Sequence, residues 1–172
     1  LAPDNKNSYR YYMDHYFFDH INIDKSATHV PNGIARDIEA ECRQYDNLAI
    51  KLGGTDIQIL GLGTTGHIAF NESDTTFHPF TRLVELNQST LDANGHYFKT
   101  DNPIPGKAIT VGMRFILNSR LILLLVSSDK KAKALERTIN GPVDPMVPAS
   151  ILQLHSNVII IADEEALSLM PN

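Results

Sequence analysis

The sequence predicts an α/β fold of three layers, with helices on both faces of a parallel sheet. Three observations carry that prediction. Short apolar runs of strand length, DIQILGLG, LILLLVSS and NVIIIA, alternate with longer stretches of helical character. The first of them is apolar on both alternating faces, as a central strand covered from two sides should be. Glycines 61, 63 and 66 gather where that strand runs out, at the carboxyl edge where parallel α/β sheets hold their ligands.

Taken in order, SYRYYMDHYFFDHI begins at Ser8, a good helix cap, and its aromatics recur near the helical period. It reads as a helix with a buried aromatic face. Residues 33–52 read as a second helix, stopped by Gly53 and Gly54 in a left-handed cap. After the strand DIQILGLG, residues 90–106 are polar and proline-containing and read as an irregular loop over the sheet edge. KAITVGMRFILNS reads as a helix leading into the strand LILLLVSS. SSDKKAKALERTIN is a helix capped by Ser or Asp with Gly141 just past its end, PASILQLH a short helix, NVIIIA the third strand and DEEALSLM the start of a closing helix. Strands separated by helices imply right-handed crossovers and a Rossmann-like sheet. With no repeat or linker in view, residues 1–172 are expected to form a single α/β domain.

Composition narrows the function classes. The 172 residues are 42% hydrophobic, enough for one well-buried core. The formal charge of −5 comes with scattered basic residues, which argues against nucleic acid as a partner. Cys42 is the one cysteine, so no intrachain disulfide can form; a buried structural thiol in a reducing, cytoplasmic setting is expected. LILLLV is too short to span a bilayer, and LAPDNKNSY has no signal-peptide pattern, so no membrane association is expected. The seven histidines show no zinc-like spacing, and no G-x-S-x-G elbow is present. Neither metal nor cofactor is expected.

The candidate site is GLGTTGHIAFNE, residues 61–72. Its glycines allow positive φ and a close approach of backbone to a ligand. His67 can exchange a proton near neutral pH, and Glu72 can orient or stabilise the imidazole if a turn brings the two together. Such a turn is expected because Gly66 loosens its entry and Asn71 can bond local backbone. From spacing alone, a histidine that merely caps backbone groups is the competing reading. Lys131 stands near a helix start, where free N–H groups favour an anion, with Lys130, Lys131 or Lys133 as its partner. A solvated basic helix face is the alternative there.

GLGTTGHIAFNES, TRLVELNQSTLDANGHYF, IPGKAITVGMRFIL and PASILQLH occur in the order and at the separations found in glucosamine-6-phosphate deaminases, which the chain resembles nearly end to end. The resemblance implies aldose-to-ketose isomerisation with loss of ammonia, giving fructose 6-phosphate from glucosamine 6-phosphate in amino-sugar catabolism. It assigns ring opening to His67 with support from Glu72 and Thr65, substrate contacts to Gly61 and Gly66, and phosphate binding to Lys131 and His96. Relatives occur as monomers and hexamers, so a homo-oligomer stays open.

Departures from the family pattern sharpen these expectations. Thr65 stands where relatives usually have Asp or Asn, and His96 where they have a phosphate-gripping arginine. A histidine lacks the permanent charge and bidentate fork of a guanidinium, so phosphate affinity is expected to fall. Val84 replaces a lysine of the relatives' activator site, although Arg82 matches one of its arginines; that activation is not expected. The family pattern also includes earlier strands, a phosphate loop and a C2-proton base ahead of LAPDNKNSY, so the fold is expected to be incomplete at its N-terminus. Two alternatives remain: a galactosamine-6-phosphate deaminase, and a non-catalytic sugar-phosphate sensor like the effector domains of some bacterial regulators.

Overall fold

A computed structural model of the protein describes residues 1–94 and 105–170. Packing divides the chain into two units, Leu1–Tyr45 with Arg82–Ile109, and Asp46–Thr81 with Thr110–Asn172.

In the first unit, helix α1 (Tyr9–Tyr16) starts where the sequence places it, because Ser8 Oγ accepts the Tyr11 N–H at 3.0 Å. Its aromatic face is not buried, however. Tyr9, Tyr12 and Tyr16 are each more than half exposed, and the buried aromatic is Phe18, in the 3₁₀ turn just beyond. The inward contacts of α1 are polar instead: Arg10 pairs with Asp14 and donates to the carbonyl and hydroxyl of Thr28. Helix α2 (Ile38–Lys51) begins later than residue 33, since Asp37 Oδ1 accepts the Ala40 N–H at 2.9 Å and fixes the first turn there. It buries Cys42 and ends as expected, with Gly53 and Gly54 at φ 91° and 89°.

Strand β2 (Arg82–Glu85) pairs with β3 (Lys107–Thr110), and both correct the sequence reading. The run KAIT is strand rather than helix, because β-branched Ile109 and Thr110 favour extended backbone. Helix α4 is confined to Met113–Leu117 after an extended Gly112. Helix α3 (Gln88–Asn94) occupies the start of the segment read as loop; Asn87 caps it by accepting the Thr90 N–H at 2.9 Å. His96 lies outside the described residues.

The second unit carries the parallel sheet that the sequence predicts. Strands β1 (Ile57–Gly61), β4 (Leu121–Val126) and β5 (Val158–Ala162) lie in the order β1-β4-β5, all parallel, with Gly61 opposite Leu125 and Val126 opposite Ala162. Leu60, Ile122, Leu124 and Val126 pack into one core with Leu62, Ile68, Met113, Ile116 and Leu135 of helix α5 (Ala132–Asn140). PASILQLH forms a buried 3₁₀ segment, Pro148–Leu154, that adds Ala149, Ile151 and Leu152 to that core. The opposite faces of the strands differ from expectation. Ile57, Ile59, Leu125, Ile159 and Ile161 are 45–62% exposed, so the described residues cover one of the two apolar faces of these strands. DEEALSLM winds through turns rather than a helix: Asp163 caps it by accepting the Ala166 N–H at 2.8 Å, and regular bonding does not propagate.

Candidate active site

Adjacent parallel strands β1 and β4 end side by side, so the segments that follow them leave from one edge. After β1, Leu62 bridges antiparallel to Ile68, and the Gly63 N–H donates to the His67 carbonyl at 2.8 Å. The hairpin so formed lays the imidazole flat against Gly63. A Cβ there would fall 2.1 Å from the ring, which no side chain tolerates. Gly66 turns the chain at φ 86°, and a Cβ on it would meet Val147 Cγ1 at 2.6 Å. Gly61 differs, because the space a Cβ would occupy there is open.

Residues 68–71 form the turn that the sequence anticipates. The Asn71 N–H donates to the Ile68 carbonyl at 3.1 Å, with Ala69 left-handed at φ 51° between them. His67 and Glu72 flank this turn, so a separation of five positions closes to 3.2 Å between Nδ1 and Oε2. The two side chains are 21% and 16% exposed, shielded enough to strengthen the pairing yet still open to a ligand. Thr65 Oγ1 also lies 3.2 Å from Nδ1. Nδ1 is within hydrogen-bonding geometry of the Thr65 hydroxyl, whereas Glu72 Oε2 approaches it as a charge rather than in hydrogen-bond geometry. That negative charge favours the tautomer with the proton on Nδ1, which leaves the Nε2 lone pair to act as a base.

After β4, Ser128 accepts the Lys131 N–H on its carbonyl at 3.0 Å and starts the 3₁₀ turn Asp129–Lys131. Ser128 itself is held at φ 84°, and its N–H donates to the Asp163 carboxylate at 3.0 Å. Of the three candidate lysines, Lys130 and Lys133 point to solvent, whereas Lys131 Nζ reaches the Leu62 carbonyl at 2.7 Å. Partial burial lowers the Lys131 pKa from the ordinary lysine value. His67, Glu72, Thr65, Gly61, Gly66 and Lys131 therefore all belong to one unit and one sheet edge. Sequence reasoning missed Asp163; its signal was an aspartate directly after β5, in register with the residues that follow β4. Among the described residues, no group of three or more His, Cys, Asp or Glu is placed to hold a metal, and no helix is long and apolar enough to cross a membrane.

Fold and site together define an α/β protein with an imidazole–carboxylate pair at the carboxyl edge of its parallel sheet. Comparison with known proteins then fixes the lineage. A sequence model of the glucosamine-6-phosphate isomerases/6-phosphogluconolactonase family matches residues 1–161, and the chain belongs to that family. It is 48% identical to a glucosamine-6-phosphate deaminase of Thermoanaerobacter sp. (strain X514), over the whole of this chain and 68% of the relative. The corresponding deaminase of Geobacillus sp. (strain WCH70) is 49% identical, with the same shares covered. The solved structure of a monomeric glucosamine-6-phosphate deaminase superimposes with a TM-score of 0.94 at 47% identity, covering 98% of this chain and 70% of that one. A 6-phosphogluconolactonase from Thermotoga maritima shares the fold at a TM-score of 0.68 and 16% identity. The deaminase relationship expected from the four motifs is thus borne out.

Proposed function

We propose that this protein is a glucosamine-6-phosphate deaminase, converting glucosamine 6-phosphate and water to fructose 6-phosphate and ammonia, and that residues 61–72 and 127–131 open the sugar ring and hold its phosphate. The observation that carries the reading is the 3.2 Å approach of His67 Nδ1 to Glu72, in a chain 48% identical to deaminases. In this reading Nε2 of His67 takes the proton of the anomeric hydroxyl and delivers it to the ring oxygen, so the C1–O5 bond breaks and a free aldehyde forms. Glu72 stabilises the transient imidazolium, and the Thr65 hydroxyl steadies the same nitrogen. Gly61 offers backbone without a side chain where the sugar lies, and Gly66 shapes the loop. Lys131 binds the phosphate, its ammonium half-buried where charge pairing is stronger than in water. His96 is assigned the second phosphate contact.

Residues 1–172 are taken as part of a single catalytic domain, which the match of one family model across both packing units supports. A cytoplasmic setting is part of this reading, resting on the chain's single cysteine, Cys42, which is buried. The test is ammonia release by the full-length protein from glucosamine 6-phosphate, with galactosamine 6-phosphate in parallel. Turnover of the first that disappears in His67→Ala supports the proposal. Turnover of galactosamine 6-phosphate alone would transfer it to the epimer, and binding without turnover of either would make the protein a sensor.

A further inference from the structure

The turn that closes His67 onto Glu72 contains a polar side chain with no evident place in the chemistry. Asn71 is 2% exposed, and its Nδ2 donates two hydrogen bonds, to the Ile68 carbonyl at 3.1 Å and to the Val111 carbonyl at 2.9 Å. One bond stays within the turn; the other reaches the residue directly after β3. Beside it, the Phe70 N–H donates to Thr110 Oγ1 at 3.0 Å, so two consecutive residues of the loop are tied to two consecutive residues of a second segment. An amide buried this deeply is costly unless satisfied, and neither hydroxyl nor carboxylate of similar size offers two N–H donors. The turn is also strained, since Ala69 sits at φ 51°, and such a conformation persists where the surroundings over-determine it.

We propose that Asn71 is a positioning residue for the proton shuttle: its amide clamps the turn at both ends and thereby sets the distance and tautomer of the His67–Glu72 pair. This rests on the catalytic reading of His67 given above. The clamp acts on neighbours of both partners, because Ile68 follows His67 and Asn71 precedes Glu72. Losing it leaves the carbonyls of Ile68 and Val111 without the amide and lets Glu72 drift from Nδ1. A displacement near 1 Å in such a pair costs on the order of 10² in rate.

The test uses the full-length protein with Asn71→Ala and Asn71→Ser, each also in a Glu72→Gln background. Asn71→Ala is expected to lower kcat roughly tenfold to hundredfold with KM little changed, and Asn71→Ser, which keeps one donor, to lose less. In the Glu72→Gln background the Asn71→Ala loss should shrink to within about threefold, because the pair it positions is already broken. Long-range proton–nitrogen correlation spectra report which ring nitrogen of His67 carries the proton. The expected pattern is Nδ1–H in the wild type and a redistribution toward Nε2–H in both Asn71 variants. Losses that multiply with Glu72→Gln, or an unchanged tautomer in the variants, would overturn the proposal. If Asn71→Ala does not fold, Asn71→Ser carries both readouts. The tautomer measurement needs no substrate, so a wild type that releases no ammonia refutes the deaminase reading while the clamp is still judged.

Discussion

The loop after β1 and the turn after β4 leave the same sheet edge, yet they are built by different means. The first is rigid by construction: two antiparallel bridges meet at fully buried Ile68, Gly63 lies beneath the imidazole, and Asn71 is locked to backbone. The second is held by capping, with Ser128 on the Asp163 carboxylate and Lys131 on a single carbonyl. The difference teaches where geometry matters. A proton relay depends steeply on sub-ångström placement, whereas attraction between an ammonium and an anion falls off slowly with distance.

If that contrast is right, substitutions in the first loop strike kcat and those in the second strike KM. The largest effect is expected of His67→Ala, a loss of about 10² to 10⁴ in kcat measured as ammonia release, in line with removal of a general base. Gly63→Ala should come next. Its methyl would displace the ring that now rests there, lowering kcat on the order of 10² while the protein stays folded by circular dichroism. Lys131→Met should raise KM roughly ten- to hundredfold with a smaller change in kcat, as loss of a charge-assisted contact to phosphate. Equal losses of kcat from the Lys131 and Gly63 variants would erase the distinction between the two segments.

Lys131 also gives the contrast a pH dependence. Burial lowers its pKa in the folded protein, so over the interval from that lowered value to the unfolded value near 10.4 the unfolded chain binds more protons than the folded one. This lysine therefore makes stability rise with pH across that interval. Denaturant midpoints of wild type minus Lys131→Met should increase from neutral pH toward pH of about 10. A flat difference would mean that the ammonium is fully hydrated. The smallest effect is expected at Ala69→Gly, where relief of left-handed strain and added chain entropy oppose each other within about 1 kcal/mol. A kcat unchanged by that substitution would show that Asn71, rather than residue 69, fixes the turn.

Local chemistry was the legible part of the chain. Ser8, Gly53 and Gly54 announce helix ends because caps act within a few residues, and the turn between His67 and Glu72 is foreshadowed by Gly66 and Asn71 for the same reason. Long-range effects were not legible. KAIT carries helix-compatible Lys and Ala beside β-branched residues, and pairing with β2 decides the matter. The tyrosines of α1 have a helical period, but Arg10 and Asp14 take its inward contacts. Ile57, Ile59, Ile159 and Ile161 alternate like core residues and lie exposed, since periodicity reports which side chains share a face and not what covers it. Within the site, position alone leaves Lys130, Lys131 and Lys133 equivalent and the family resemblance singles out Lys131; the fold adds that this lysine reaches the Leu62 carbonyl.

That lysine-to-carbonyl bond has an entropic consequence for capture. A free lysine stem samples many rotamers, and stilling them costs about 2 kcal/mol. Here the stem is stilled during folding, with one of the three ammonium hydrogens anchored to the sheet edge and the other two oriented in advance. If Lys131 holds the phosphate, as proposed, an arriving anion meets an ammonium already aimed, and less rotamer freedom is lost when it is captured.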